Sequence, residues 1–146
     1  MWCMDPDDPN GCVTFLVRHA WLSMRSAVAV ALAEHGLSVQ QYGTLLIVRE
    51  HPGRTVAEVG REVGTARQSA NELIAGMERA GLVERRPNPK DRRTQQVHLT
   101  PAGEQRIADA TPAVRKVEAE LEASFSNSDR ATIRAWLSHM VTAVEG

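Results

Sequence analysis

The chain has 146 residues, enough for one domain, and its 42% apolar and 24% charged side chains allow both a core and a solvated surface. Seventeen Lys and Arg against eighteen Asp and Glu leave a formal net charge of -1, which by itself announces neither a nucleic-acid binder nor an acidic disordered chain. No apolar run approaches the ~18 residues of a membrane span, and two cysteines, Cys3 and Cys12, are too few for a disulfide framework.

Residues 1–11 are rich in Asp, Pro, Asn and Gly and are expected to form a flexible tail. Asp5, Asp7 and Asp8 stand where a signal peptide would carry basic and then apolar residues, so a cytoplasmic protein is expected. From Cys12 to His35 there is neither Pro nor Gly. Val13, Leu16, Val17, Ala20, Trp21, Met24, Ala27, Val28, Ala31 and Leu32 recur at spacings of three and four, which predicts a long helix with one buried face, stopped by Gly36. Ser38 can cap a second helix that carries Tyr42, Leu45, Leu46 and Val48 and ends near His51, before the Pro52-Gly53 turn.

A short helix over 54–63 has Val56, Val59, Gly60 and Val63 along one side. After Gly64-Thr65 another helix runs from about Ala66 to Arg79, and Gly81 ends it. Ala70, Leu73, Ile74 and Met77 form its inner face; Arg67, Gln68, Asn71, Glu72 and Ala75 form its outer face. Two short helices joined by a tight Gly-containing turn are a helix-turn-helix pattern. Residues 82–86 and 94–100 then flank a polar stretch, Pro87 to Arg93, and read as a β-hairpin with a long cationic tip. Thr100-Pro101 opens a helix expected to reach about Phe125 with a kink at Pro112. Ser126 and Asp129 form a weaker capping box for the last helix, whose stripe of Ile133, Trp136, Leu137, Met140, Val141 and Val144 should be buried. The fold class is therefore mainly α with a small β-hairpin wing: a winged helix-turn-helix flanked by N- and C-terminal helices. Those flanking helices carry more apolar surface than one chain of this size can cover, so a homodimer built from them is expected.

Charge is unevenly spread along these elements. From Arg85 to Arg93 there are five cations (Arg85, Arg86, Lys90, Arg92 and Arg93) and one anion, Asp91, a local +4. Residues 1–10 hold three Asp and no cation, and six acids face three bases between Glu104 and Asp129. The near-zero total hides a basic stripe of the kind phosphate contact requires.

Five stretches resemble the MarR family of bacterial transcription regulators. They are Leu37-Ser38-Val39-Gln40-Gln41-Tyr42 with Leu45-Leu46; Val56-Ala57-Glu58-Val59-Gly60 through Gly64; Leu73-Ile74 through Met77 to Arg85; Pro87-Asn88-Pro89-Lys90-Asp91-Arg92-Arg93; and Leu99-Thr100-Pro101-Ala102-Gly103. The likeness covers roughly residues 12–145. It implies a single domain over 12–146, with 12–36 and 101–146 as dimerisation helices and 37–100 as the DNA-binding region. One departure is Ala66, where the family often opens its recognition helix with Ser; Thr65 is expected to cap instead.

The resemblance further implies a regulator of transcription, by family default a repressor, that binds double-stranded DNA as a homodimer on a pseudo-palindromic operator. It puts Arg67, Gln68, Ser69 and Asn71 in the major groove and Thr65 against phosphate. The wing, with Lys90, Arg92 and Arg93, should reach the adjacent minor groove, Arg93 being the inserted side chain. Asp91 should hold an arginine, either Arg93 or one at the hairpin base. Arg85 and Arg86 alternate on their strand, so one of the two should face phosphate. A winged helix used only for protein contacts would share this fold, but it has no need of the wing cations. The family often answers a small aromatic or anionic effector, and the resemblance places such a pocket among His19, Trp21, Arg25, Tyr42 and Arg49; core packing explains Trp21 and Tyr42 equally well. Cys12 lies more than a turn before the position used for redox sensing, with acidic neighbours that disfavour a thiolate. The five histidines show no metal-ligand spacing, and there is no phosphate loop or nucleophile elbow. Neither a cofactor nor an enzymatic activity is expected.

Overall fold

A computed structural model describes residues 7–8 and 11–145, the last by its backbone only. Most of the expected tail, residues 1–6 and 9–10, lies outside the described residues. In chain order the elements are α1 (Val13–Ala33), α2 (Val39–Glu50), α3 (Val56–Val63), α4 (Arg67–Arg79), β1 (Val83–Pro87), β2 (Gln95–Leu99), α5 (Pro101–Glu122) and α6 (Asn127–Glu145). None of these helices is long and apolar enough to cross a membrane. The chain divides into two compact units, one ending at Val114 and the other beginning at Arg115.

The first unit is organised around one core. Leu32 of α1, Leu45 and Val48 of α2, Val59 of α3, Ile74 and Met77 of α4, Val83 and Val97 of the hairpin and Ile107 and Ala110 of α5 all meet there. Ile74, Met77, Val97 and Ile107 are fully buried; each large aliphatic side chain so buried stabilises the fold by about 1.5–3 kcal/mol. The helix starts are set locally. Ser38 accepts from Gln41 N at 3.1 Å while Gln41 Oε1 accepts from Ser38 N at 2.8 Å, a complete capping box on α2. Thr55 caps α3 by accepting from Glu58 N.

Two close approaches fix the helix-turn-helix and the hairpin. The α3–α4 turn needs Gly64 at φ +78°, a left-handed backbone that side chains disfavour. At Gly60 a Cβ would lie 2.6 Å from the Ala70 Cβ, so α3 and α4 pack with room for a hydrogen only. β1 and β2 pair antiparallel, Val83 opposite Leu99 and Arg85 opposite Val97. On its other side β2 binds the segment before α3: Val97 N donates to Arg54 O at 2.8 Å, and Thr55 bridges Gln96. The hairpin is thereby bonded to the start of the helix-turn-helix. The start of α5 closes the hairpin base, with Thr100 Oγ1 donating to Gly81 O and accepting from Gly103 N.

The second unit holds the end of α5 and α6. Ser126 and Asp129 cap α6 reciprocally, at 3.1 and 3.3 Å, as the sequence suggested. Arg130 donates to the Glu122 carbonyl and Arg134 donates to the Glu122 carboxylate at 2.7 Å, so the two arginines tie α6 to the end of α5. α5 stops at Glu122, a turn before the expected Phe125, and continues through Pro112.

The stripe on α6 is open in the single chain, in keeping with more apolar surface than one chain of this size can cover. Ile133, Trp136, Leu137, Val141 and Val144 are exposed and Met140 is half-buried, so within one chain the periodic face is uncovered. On α1 the same holds in part: Leu32 is buried and Leu16, Val17, Ala27, Val28 and Ala31 are half-buried, but Val13, Ala20, Trp21 and Met24 are exposed. Helical spacing specifies an apolar face and leaves open what covers it.

Candidate nucleic-acid interface

α4 presents its polar face because its apolar face is anchored. Ala70, Ile74 and Met77 are buried, which turns Arg67, Gln68, Ser69 and Asn71 to solvent. Arg67, Gln68 and Ser69 make no side-chain hydrogen bond or ion pair within the described residues, so their polar ends are available. Asn71 differs: its Nδ2 donates to Arg67 O at 2.9 Å.

The start of α4 corrects an expectation. The cap position is held by Ala66, in extended backbone, and no side chain caps the helix; Thr65 is half-buried one residue too early. The fold of the α3–α4 turn decides which residue lands at the cap, whatever its capping ability. Backbone N–H groups at the first turn therefore keep hydrogen-bonding capacity for an anion.

The wing tip is a hydrogen-bonded turn. Asn88 Nδ2 donates to Thr94 Oγ1, Thr94 Oγ1 donates to Asp91 O, and Lys90 N donates to Asn88 Oδ1. Asp91 pairs with Arg93, which donates to it from its backbone N at 3.0 Å and from Nε at 3.1 Å. These bonds hold the Asp91 carboxyl below its usual range. The Arg93 side chain nonetheless stays 90% exposed. Lys90 and Arg92 are exposed beside it. At the hairpin base the alternation separates the two arginines. Arg85 turns inward: its backbone N donates to Glu78, and its buried Nε lies 3.7 Å from the same carboxylate. Arg86 faces outward, with Nε donating to Glu84 at 2.6 Å.

Arg67 and Asn71 of α4, Arg93 and Thr94 of the wing, Gln95 at the start of β2 and Thr55, Val56 and Ala57 at the start of α3 line one cleft. Recognition helix and wing thus contribute cations to the same concavity. Thr94 and Gln95 were not singled out from the sequence. They lie where strand alternation gives way to a turn, and no periodic signal marks them.

The five effector candidates are not joined by any hydrogen bond or ion pair among the described residues. His19, Trp21, Arg25 and Arg49 are exposed. Tyr42 is 8% exposed and its hydroxyl lies 3.0 Å from Thr111 Oγ1, a satisfied core tyrosine joining α2 to α5. Cys12 is half-buried at the cap position of α1.

On the outer face of the hairpin, His98 sits opposite Glu84 and bonds Gln96 across 3.0 Å. Burial, then the charge of Arg86, pushes its pKa below the ordinary value near 6.5, and Glu84 opposes the shift. A histidine depressed in the folded state stabilises the fold above its ordinary pKa, and that contribution is lost as pH falls through 6.5 toward the folded value. The urea midpoint is expected to fall between pH 7.5 and pH 5.5, and His98→Gln should remove part of that fall. An identical pH dependence in the variant would contradict the assignment.

A helix-turn-helix whose second helix is exposed beside a cationic hairpin defines a winged helix, a fold in which the second helix can enter the major groove of DNA. The sequence profile of the MarR family matches residues 35–94. The transcriptional regulator HosA of Escherichia coli O111:H- is 32% identical over 108 residues, covering 73% of this chain and 79% of that protein. A putative transcriptional regulatory protein for the hcr operon of Thauera aromatica is 28% identical over 105 residues, 72% of this chain; the matched stretch spans 63% of the Thauera protein. The structure of the Mycobacterium tuberculosis regulator MOSR in complex with DNA superposes with a TM-score of 0.73 at 28% identity, covering 92% of this chain and 96% of that one. The chain belongs to the MarR family of transcriptional regulators. It is a DNA-binding regulator of transcription rather than an enzyme.

Proposed function

We propose that the protein binds a pseudo-palindromic operator as a homodimer and represses the genes behind it. The observation that carries this reading is the cleft shared by Arg67, Asn71 and Arg93, which sets base-reading and phosphate-seeking side chains side by side. Arg67, Gln68, Ser69 and Asn71 would meet base edges in the major groove, with Thr65 and the uncapped first turn of α4 against phosphate. Arg93, held by Asp91, would enter the minor groove, and Lys90, Arg92 and Arg86 would follow the backbone. Arg85, engaged with Glu78, is assigned to support the strand rather than to touch DNA. Repression is the simpler direction, because occupancy alone denies a promoter to polymerase.

The uncovered faces of α1 and α6 support the homodimer, with residues 12–36 and 101–146 as its dimerisation segments and 37–100 as the DNA-binding region. Trp21 is 51% and Trp136 44% exposed, and apolar stripes of this kind mark an interface. Two reading heads related by a twofold axis would engage half-sites about one helical turn apart. Ile133→Asp combined with Trp136→Asp should raise the dimer dissociation constant at least tenfold, since each side chain withdrawn from water contributes about 1.5–3 kcal/mol. Sedimentation equilibrium reads this; an unchanged dimer would remove α6 from the interface.

Effector control by a small aromatic or anionic compound is part of the proposal. Trp21 and Arg25, exposed on α1 with no bonding partner among the described residues, are the first side chains to vary, followed by His19 and Arg49. Selection of genomic fragments by the purified protein, followed by gel shift over a salt series, tests the whole. A retained pseudo-palindrome with strongly salt-dependent affinity is expected. Failure to retain any fragment at low salt would reverse the reading.

A further inference from the structure

The four outward residues of α4 are not equivalent. The side chains of Arg67, Gln68 and Ser69 end in solvent with no partner among the described residues, so each must lose rotamer freedom before it reads a base. Asn71 is already tethered: its amide nitrogen donates to the Arg67 carbonyl at 2.9 Å. A carbonyl only accepts, so nitrogen is the atom facing the backbone. The same bond defines what remains for a ligand. An amide nitrogen carries two hydrogens, and one is taken. The second N–H and the Oδ1 acceptor are left, and those two groups match the N7 acceptor and N6 donor that adenine shows in the major groove. Asn71 also lines the cleft shared by Arg67 and Arg93, so an adenine read there would lie in a cleft that holds two cations.

The geometry points to Asn71 as the specificity-determining residue of the recognition helix, pre-oriented by its bond to Arg67 O to read one adenine in each half-site. This inference rests on the DNA-binding reading above and deepens it. Gln68, an amide of similar chemistry without a tether, contributes less discrimination.

The test begins with an operator selected from a random DNA pool by the wild-type protein. Each adenine of that operator is then replaced in turn by 7-deazaadenine, which lacks the N7 acceptor. One adenine per half-site should cost the wild-type protein on the order of tenfold in affinity. The same replacement should cost Asn71→Ala nothing, and that variant should lose base preference at that position alone. Gln68→Ala should change preference by a smaller factor at every position, and helical circular dichroism should be the same in all three proteins. The inference is overturned if no adenine is sensitive in the wild type, if Asn71→Ala keeps the sensitivity, or if Gln68→Ala has the larger effect. A pool that yields no operator at all would instead sink the DNA-binding reading on which the inference stands.

Discussion

Gly103→Ala should unfold the protein at markedly lower temperature, although alanine is the better helix former. Gly103 is buried in the first turn of α5, where a Cβ would stand 2.1 Å from the Leu82 carbonyl oxygen and 3.1 Å from its carbon. The obstacle is backbone, and that carbonyl is held by the Thr100 N–H at 3.1 Å. Alanine gains roughly 0.5–1 kcal/mol of helix preference over glycine. Relieving the overlap means moving the hairpin base away from α5, and overpacking of this kind costs about 1–3 kcal/mol or more. The clash wins. For a chain near 150 residues each kcal/mol corresponds to roughly 2–4 °C, so a fall in Tm of several degrees is expected by calorimetry. Gly43→Ala is the control: α2 leaves nothing within 4 Å of the added Cβ, so that variant should hold or raise Tm. A Gly103→Ala protein as stable as Gly43→Ala would refute the close approach.

Arg93→Ala should give the largest loss of DNA affinity among single wing substitutions. Its side chain is 90% exposed and fixed at one edge by Asp91, so it reaches solvent without first having to be ordered. A narrow groove concentrates negative potential and favours such a guanidinium. Removing one phosphate-neutralising cation lowers the slope of log K against log salt by about 0.9. Affinity should drop on the order of tenfold on every sequence tried, because a groove-potential contact carries little base information. Titrations from 50 to 200 mM salt separate the outcomes; a wild-type slope and affinity would take Arg93 out of the interface. Asp91→Asn should lie between the two, since it keeps the arginine but weakens its anchor.

Local chemistry made much of this fold readable. Ser38 and Gln41, or Ser126 and Asp129, announce helix starts because capping is a contact between near neighbours. The cationic tip between two β-branched runs announces the wing for the same reason. What was not readable depends on distant parts of the chain. Gly103 looks like one more residue of a helix start until the Leu82 carbonyl is brought over it. Thr65 has the side chain for capping, yet the α3–α4 turn delivers Ala66 to the cap position. Trp136 and Ile133 recur with the period of a buried face, but period says nothing about a partner. Tyr42 sits between two roles in the sequence, and the Thr111 hydroxyl, 69 residues away, gives it a structural one. At the interface, the outward side of α4 followed from its apolar side, whereas Thr94 and Gln95 join the cleft only through hairpin geometry.

The missing side-chain cap on α4 has a thermodynamic consequence. A capping hydroxyl or carboxylate is typically worth about 1 kcal/mol to a helix, and Ala66 forgoes it. On the proposed reading, a phosphate oxygen supplies it when operator is bound. Part of the helix's stability would then reside in the nucleic acid, since the amides of the first turn would gain in the complex the partner that Ala66 does not supply. On that reading, alanine at this position gives up local stability that a bound phosphate restores.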